Sequence, residues 1–281
     1  MARWPVDPGA APELFDFGET GIYTCRSRGF AVKKDGLNWS ISVAVNWLAI
    51  AAAIVLAYRF NHIAGYVLAV LIVGTRQHAL AVLAHDGAHH HVTRHRWLND
   101  ALTCVFCFWP LGVGLHGWRK FHFKHHRTVG TAADPELAIK QKYPRRWSPE
   151  TNQWRQFIAD LLGFSVLETT MLIRLAKPER ISDVLGPVVT ILTVWAAVLY
   201  WADWRALAIW HVAFVTSFWA AFRLRAFTEH VGTTSTHRLS EPPLWKKLLY
   251  LPENTWLHWE HHKLPAVPAR QLKQRVRLGD L

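Results

Sequence analysis

The sequence is poor in the features that mark secreted or soluble domains. Its three cysteines, Cys25, Cys104 and Cys107, give no disulfide framework, and the last two lie in an apolar run where packing is their expected role. Charged residues make up 19% of the chain, below the soluble average of about 25%. Residues 1–36 hold no apolar core, so we expect no signal peptide there and an internal segment that directs membrane insertion.

Apolar residues are abundant, at 51% of the chain, and they include 16 tryptophans, a residue favoured at membrane interfaces. The net charge of +12 raises the question of nucleic acid. The basic stretches contain no recognisable nucleic-acid-binding motif, so we expect no such partner. Basic residues beside membrane-length apolar blocks instead mark the cytoplasmic side and attract anionic lipid.

Four apolar blocks are long enough to cross a bilayer as helices. The first has 20 residues, which is the length that about 30 Å of hydrocarbon requires. Short polar turns, 59–62 and 202–205, join the blocks into two hairpins. The predicted transmembrane segments are approximately residues 39–58, 63–84, 184–201 and 206–222.

Two hairpins place both termini on one side of the membrane, together with the polar segments between and after the hairpins. The two tight turns contain only Arg59 and Arg205 of the 32 lysines and arginines. The positive-inside rule therefore predicts that the termini and the polar segments are cytoplasmic. We expect a cytoplasmic lead-in over residues 1–36, irregular or with a short interfacial helix, and a single membrane domain over residues 37–281.

The connecting segments complete an all-α prediction. Residues 102–115 are apolar but too short to span, so a re-entrant or interfacial segment is expected. Residues 133–156 resemble a soluble loop. Residues 157–176 predict an amphipathic helix in the membrane interface, with a transmembrane span as the weaker alternative.

Histidines form the most informative pattern in the chain. His122, His125 and His126 have the i, i+3, i+4 spacing that places three imidazoles on one helix face. The same spacing recurs downstream, and an i, i+4 pair precedes both, which gives eight candidate metal ligands: His85, His89, His122, His125, His126, His258, His261 and His262. Eight are too many for one ion and about right for two. Imidazole suits zinc, iron, copper and nickel, and the Glu-x-x-His motifs of carboxylate-bridged helical bundles are absent.

Further polar residues belong to this prediction. His230 is a plausible ninth ligand because it follows the second hairpin on the same side as the clusters, and Glu229 precedes it. The acids Asp86 and Glu260 are placed to orient imidazole N–H groups. Arg76 interrupts the second apolar block, either as a helix-end cation that reaches the interface or as a hydrogen-bonding group near the site. No catalytic residue is expected beyond the metal ligands.

The remaining histidines have weaker claims. His90 or His91 could replace His89, whose spacing is preferred. His95 and His116 are expected in loops or behind the ligands, and His237 has a small chance of contacting metal. His62 in the opposite turn and His211 in the middle of a span are expected to be structural.

Together these motifs resemble the membrane fatty acid desaturase/hydroxylase superfamily, from about residue 40 to residue 270. The resemblance lies in these residues: His85-Asp86-x-x-His89, then His122-x-x-His125-His126 with Thr128-x-Gly130 and Asp134-Pro135, then Arg225-x-x-x-Glu229-His230, and finally His258-x-Glu260-His261-His262-x-x-Pro265-x-Val267-Pro268. The set is highly specific for the superfamily and weakly specific for the reaction within it.

The resemblance implies an oxidoreductase of lipid metabolism, with four membrane helices under a cytoplasmic cap that holds two non-haem irons. It implies O₂ as co-substrate and an apolar substrate that enters from the bilayer. It assigns the eight histidines of these motifs as iron ligands, with His230 as a ninth ligand. No cytochrome b5-like extension is present, so an external donor such as ferredoxin or cytochrome b5 is expected. A compact chain of this kind resembles bacterial enzymes, which implies the bacterial inner membrane.

The reaction stays open between two kinds of chemistry. A desaturase acting on a lipid acyl chain is the leading hypothesis, and a hydroxylase or ketolase of a carotenoid or other apolar lipid is the alternative. A histidine-based metal transporter is a remote third reading, because transporters place their ligands near the bilayer midplane and these clusters lie beyond the helix ends.

Overall fold

The structure is a computed structural model that describes residues 15–17, 23–25, 32–165, 176–233 and 235–278. The described residues are mainly helical, and we number the helices along the chain. The helices are α1 Gly36–Phe60, α2 Ile63–Ala88, α3 Arg96–Leu111, α4 Leu115–Thr128, α5 Pro135–Lys142, α6 Pro144–Trp147, α7 Gln153–Leu161, α8 Ser182–Trp201, α9 Trp204–His230, α10 Leu244–Leu249, α11 His258–Lys263 and α12 Ala269–Leu278. Two short strands, β1 Phe15–Phe17 and β2 Tyr23–Cys25, pair antiparallel in the segment expected to be irregular or to hold a short helix.

Four helices among the described residues are long and apolar enough to cross a membrane: α1, α2, α8 and α9. Each contains one of the four predicted segments, and the protein is an all-α integral membrane protein. Two of them run further than predicted, since α2 extends to Ala88 and α9 to His230. These extra turns matter because they carry polar side chains beyond the apolar part of each helix.

The two hairpin turns lie side by side at one end of the bundle. Asn61 makes the first turn in the left-handed conformation, with φ of 42°. Across the gap, the Arg205 guanidinium donates to Asn61 Oδ1 at 3.2 Å and to the Tyr66 hydroxyl at 2.7 Å. Asp203 begins α9 by accepting from the Arg205 backbone N–H. The polar segments that follow each hairpin therefore meet at the opposite end of the bundle.

Helix α2 is the centre of the bundle and α8 is its periphery. Of the most apolar window of each helix, 61% is buried in α2 and 6% in α8. Where α2 meets the π turn Phe214–Phe218 of α9, a Cβ on Gly74 would lie 2.0 Å from Ser217 Oγ. Only glycine permits this approach, which fixes α2 against α9. The buried Cys104 and Cys107 belong to the same core, in agreement with their expected packing role.

Helices α3 and α4 are joined by a sharp bend of 91° at Gly112 to Gly114. Gly112 has a φ of 75°, which a residue with a side chain rarely adopts. This bend fits the predicted short segment that does not cross the membrane directly. It turns α4 so that its histidines lie beside the end of α2.

Two predictions about the connecting segments need correction. The predicted loop 133–156 contains α5, α6 and the start of α7, because Asp134 caps α5 by accepting from the Glu136 N–H at 2.9 Å. The second hairpin does not end at residue 222, because Asp160 neutralises the buried Arg223 and allows α9 to continue. Of the predicted interfacial helix 157–176, α7 covers the first part and residues 166–175 lie outside the described residues.

Candidate metal centre

The end of α2 delivers the first pair of histidines. His85 lies in the last turn, and His89 is the residue at which the helix stops. Their ring centroids are 4.8 Å apart, as the i, i+4 spacing requires. Because α2 is the most buried span, these two rings are held in place by the bundle itself.

Helices α4 and α11 each divide their three histidines between two groups. In α4, His122 and His126 turn to one side, whereas His125 turns to the other. In α11 the division is reversed. His261 joins the α4 pair, whereas His258 and His262 join His125. Each motif therefore contributes to both groups, and neither group can form from one helix alone.

Among the described residues, the nine predicted ligands form two groups. Within each group, the candidate ligand atoms all lie within 4.8 Å of one another. His230, at the end of α9, completes the smaller group. We name the groups the five-histidine centre (His85, His89, His122, His126 and His261) and the four-histidine centre (His125, His230, His258 and His262). That the nine residues hold metal stays a prediction.

The ring nitrogens converge at the spacing of metal ligands. His122 Nε2 lies 3.0 Å from His89 Nε2 and 2.9 Å from His126 Nε2. In the other centre, His258 Nε2 lies 3.0 Å from His230 Nε2 and 3.1 Å from the Nε2 atom of His262. With bonds of about 2.1 Å, ligands at right angles on one ion lie about 3.0 Å apart. One N–H proton can satisfy only one such contact, whereas a cation satisfies all of them.

One buried nitrogen in each centre supports the same fit. His85 Nε2 and His125 Nε2 are buried and have no hydrogen-bond partner among the described residues. An unsatisfied polar atom at such a depth is destabilising. Neutral imidazole nitrogens are ligands for divalent transition metals, so a metal ion in each centre would remove this penalty. The residues present therefore fit a pair of metal ions.

Hydrogen bonds behind the rings select the nitrogen that faces the centre. His125 Nδ1 lies 2.9 Å from Asp134 Oδ1, so its N–H donates to the carboxylate and Nε2 stays available. His230 Nδ1 donates in the same way to the Ser235 carbonyl at 3.3 Å. In the five-histidine centre, Asp86 approaches His85 Nδ1 at 3.5 Å. Such partners fix the ring orientation and raise ligand basicity.

The other predicted partners occupy three different positions. Glu229 Oε2 lies 3.7 Å from His258 Nε2, and its second oxygen accepts from Arg225. Glu260 is buried between ligands of α11 and accepts from Arg238 at 2.9 Å. Arg76 donates to Asn46 Oδ1 at 3.2 Å and to the backbone carbonyl of residue 248, so its hydrogen bonds connect α2 to α1 and α10. Their roles at the site remain predictions.

The electrostatics of the cap favour uncharged rings at most of the predicted ligands, and His125 is the exception. Burial lowers the pKa of His125, but the charges of Glu136 and Asp134 outweigh it and raise the value. Burial, followed by the charge of neighbouring histidines, holds the pKa values of His258 and His261 well below their usual range, so both rings are neutral and present lone pairs. Burial raises the pKa of the Glu136 carboxyl, but the charges of His125 and Lys140 outweigh it and bring the value to about 2. Glu136 is therefore a fixed negative charge, 3.8 Å from His125 Nε2.

Three residues at the site were not predicted to be part of it: Asp134, Glu136 and Trp118. Trp118 stacks on His122 with ring centroids 4.6 Å apart and an angle of 18°, and it meets His85 edge-on. Its signal in the sequence was the i, i+4 spacing to His122. Asp134 had a signal in the Asp134-Pro135 pair that carries the family resemblance, but its contact with His125 depends on how α5 folds back.

Six of the remaining histidines have partners elsewhere. His91 Nε2 lies 3.0 Å from the Pro265 carbonyl, and His116 Nδ1 lies 2.9 Å from Asp183. Further histidines have these contacts: His90 approaches Asp100, His237 contacts the Val231 carbonyl, His62 caps α2 at the opposite end, and His211 accepts from Trp195. None of them joins either centre among the described residues, and His89 is the member of its run that does.

Comparison with known proteins agrees with this architecture. A family model described as fatty acid desaturase matches residues 61–278, from the first hairpin turn to α12. The sn-1 acyl-lipid omega-3 desaturase (ferredoxin) of Nostoc sp. (strain 36) is 36% identical over 66 residues. That alignment covers 24% of this chain and 18% of the Nostoc protein, so the chain spans under a fifth of that relative's length.

Proposed function

Because the chain belongs to the fatty acid desaturase family, we propose that it is an O₂-dependent di-iron desaturase that introduces a double bond into a lipid acyl chain. The observation that carries the proposal is the division of nine histidines into two adjacent groups that share the α4 and α11 motifs. A shared set of this kind holds two ions close together, which is the arrangement that two-metal chemistry requires.

We assign iron to both centres, with His85, His89, His122, His126 and His261 around one ion and His125, His230, His258 and His262 around the other. When bound, the iron pair supplies the activation of O₂ that breaks unactivated C–H bonds. The protein holds the rings in position. Asp134 orients His125, the Ser235 carbonyl orients His230, and Trp118 covers the face of His122 and limits water on that side.

A lipid substrate agrees with where the centres lie. Both are built at the ends of α2 and α9, next to the membrane-spanning part of the bundle. The exposed faces of α1 and α8 are apolar, so the bundle is surrounded by acyl chains. An acyl chain therefore needs to move only a short distance from the bilayer to reach the ligands, and the protein positions one carbon pair.

The electrons come from an external donor in this proposal. The Nostoc relative carries ferredoxin in its name, and we propose a ferredoxin-type donor, with cytochrome b5 as the alternative. The sidedness follows from charge. The hairpin turns hold two basic residues, Arg59 and Arg205, of 32 in the chain, so the centres and both termini face the cytoplasm, in bacteria at the inner membrane.

Product mass and metal content together test this function. The protein is purified from iron-supplemented cells, reconstituted in vesicles of acyl lipids, and supplied with reduced ferredoxin and O₂. Two irons per chain and an O₂-dependent loss of two hydrogens from an acyl chain are the expected result. The His261→Ala variant in the same vesicles is the control and should give no product.

The same experiment separates the alternatives. Gain of one oxygen, in vesicles that contain acyl lipids or carotenoids, would assign a hydroxylase or ketolase. Uptake of metal into the vesicles without any product would assign a transporter. Against the transporter, both centres lie at helix ends, and His211, in the middle of α9, hydrogen-bonds to Trp195 rather than joining a centre.

A further inference from the structure

Two adjoining cavities lie beside the histidine centres, and the inner one is lined by residues of both centres. The outer cavity has a volume of about 360 Å³ and lies between α1, the end of α2 and α12. The inner one has a volume of about 20 Å³, enough for roughly one water molecule, and reaches His85, His258 and His261. They share one wall, formed by Asp86, Glu253, Asn254 and Ala269.

The backbone of that shared wall is strained. Glu253 and Asn254 both have positive φ angles, 51° and 62°, in the turn before α11. A non-glycine residue in this conformation is strained, and such residues cluster where function requires a fixed geometry. Here the strain places the Glu253 carboxyl between the two cavities.

Specific contacts hold that carboxyl in place. Asn46, a polar residue of α1 that is only 2% exposed, donates to Glu253 Oε1 at 3.1 Å. Asn46 also accepts from Arg76 at 3.2 Å. Hydrogen bonds through Asn46 therefore link α1, α2 and the turn that carries Glu253. This network accounts for Arg76, which the sequence marked as a polar residue within an apolar block.

The groups that face Glu253 control its protonation. Burial is the largest influence and raises the pKa of Glu253, and the negative charge of Asp86 raises it further. Hydrogen bonds from Ser42 and Asn46 and the positive charge of Arg76 lower the pKa. None of these groups is one of the nine histidines. A partly buried carboxyl with a raised pKa gains and loses a proton more readily near neutral pH than an ordinary glutamate does.

Desaturation needs protons as well as electrons. For each turnover, –CH₂–CH₂– + O₂ + 2 e⁻ + 2 H⁺ gives –CH=CH– + 2 H₂O, with the electrons from the one-electron donor and the protons from solvent. We propose that Glu253 is the proton relay of this site, taking each proton from water in the outer cavity and passing it to the water of the inner cavity. The inference rests on the proposed function.

Infrared spectroscopy tests the relay without turnover. Protein loaded with zinc, which is inert to redox chemistry, is titrated with acid in lipid nanodiscs. We expect a protonated-carboxyl band that is lost in Glu253→Gln and retained in Glu150→Gln, a charge-matched change at an exposed acid. A band unchanged in Glu253→Gln would overturn the proposal, whether or not the iron protein makes a double bond.

Turnover of the iron protein gives the second test. In Glu253→Gln we expect full metal content but about 100-fold slower product formation, at the lower end of what positioned proton transfer contributes. Glu253→Asp, which keeps a carboxyl and tolerates a positive φ, should recover most of the rate. Wild-type rates in a metal-loaded Glu253→Gln would refute the relay. If Glu253→Gln loses metal, a metal-loaded Glu253→Asp decides, and slow turnover there counts against the proposal.

Discussion

The two histidine centres differ in what surrounds them. The five-histidine centre has more candidate ligands, a stacked tryptophan, and Asp86 at 3.5 Å from His85. The four-histidine centre has fewer candidate ligands but more negative charge. Asp134 lies 2.9 Å from His125 Nδ1, Glu136 lies 3.8 Å from its Nε2, and Glu229 lies 3.7 Å from His258.

This difference predicts different tasks for the two ions. If each centre held an ion with six coordination positions, five histidines would leave one position open and four would leave two. The carboxylates next to the second set raise the basicity of its imidazoles and stabilise a higher positive charge on the ion. We therefore expect the four-histidine centre to have more open positions and the five-histidine centre to be the more rigid anchor.

Removing one ligand from each centre gives the largest expected effect. His125→Ala and His261→Ala should each abolish activity, because the proposed reaction requires both ions. Metal analysis should show about one ion per chain in each variant instead of two, since each residue belongs to one centre only. Retained turnover in either variant, or loss of both ions from both, would contradict the division into two centres.

Removing one carboxylate from each centre should have a smaller effect. Asp134→Asn keeps the cap of α5 but removes the charge behind His125. Metal affinity of the four-histidine centre should fall about 10- to 100-fold, as is typical of such partners. Asp86→Asn should weaken the five-histidine centre less, because its contact with His85 is longer, at 3.5 Å.

Competition with a chelator measures both affinities on the same sample. The difference between the two centres is the readout, so each variant serves as the control for the other. Equal losses from both centres in Asp134→Asn would mean that the carboxylate acts on the whole cap. In that case the contrast drawn from the contact distances would be wrong.

Much of this contrast lies beyond what sequence patterns can predict. Hydropathy predicts the four spans, and the i, i+3, i+4 spacing predicts which histidines share a helix face, because both depend on local periodicity. The pairing of His126 with His85 depends on how α4 meets the end of α2, and the pairing of His125 with His258 depends on how α4 meets α11. The positions of Asp134 and Glu136 depend on α5, in a segment where the composition predicted a loop.

Removing the metals should lower thermal stability by a moderate amount. The ligand nitrogens are crowded without cations, and ions present at 1,000 times their Kd would stabilise the fold by about 4 kcal/mol per site. Chelation of both ions removes about 8 kcal/mol and should therefore reduce the Tm of this 281-residue chain by roughly 14 °C. The His125→Ala and His261→Ala variants, each with one ion to lose, should show about half of this shift. An unchanged Tm after complete removal would mean that the cap does not depend on metal.

The smallest effect should come from the opposite end of the bundle. His62 Nδ1 accepts from the Ala64 N–H at 3.2 Å and so caps α2 at the first hairpin turn. His62→Ala should lose about 1 kcal/mol of helix stability at most, and His62→Ser, which keeps a capping oxygen, less. Both should keep two ions and activity within about twofold of wild type. His62 and His85 lie near opposite ends of α2, so a folded His62→Ala variant without metal or activity would mean that the far turn shares in the chemistry.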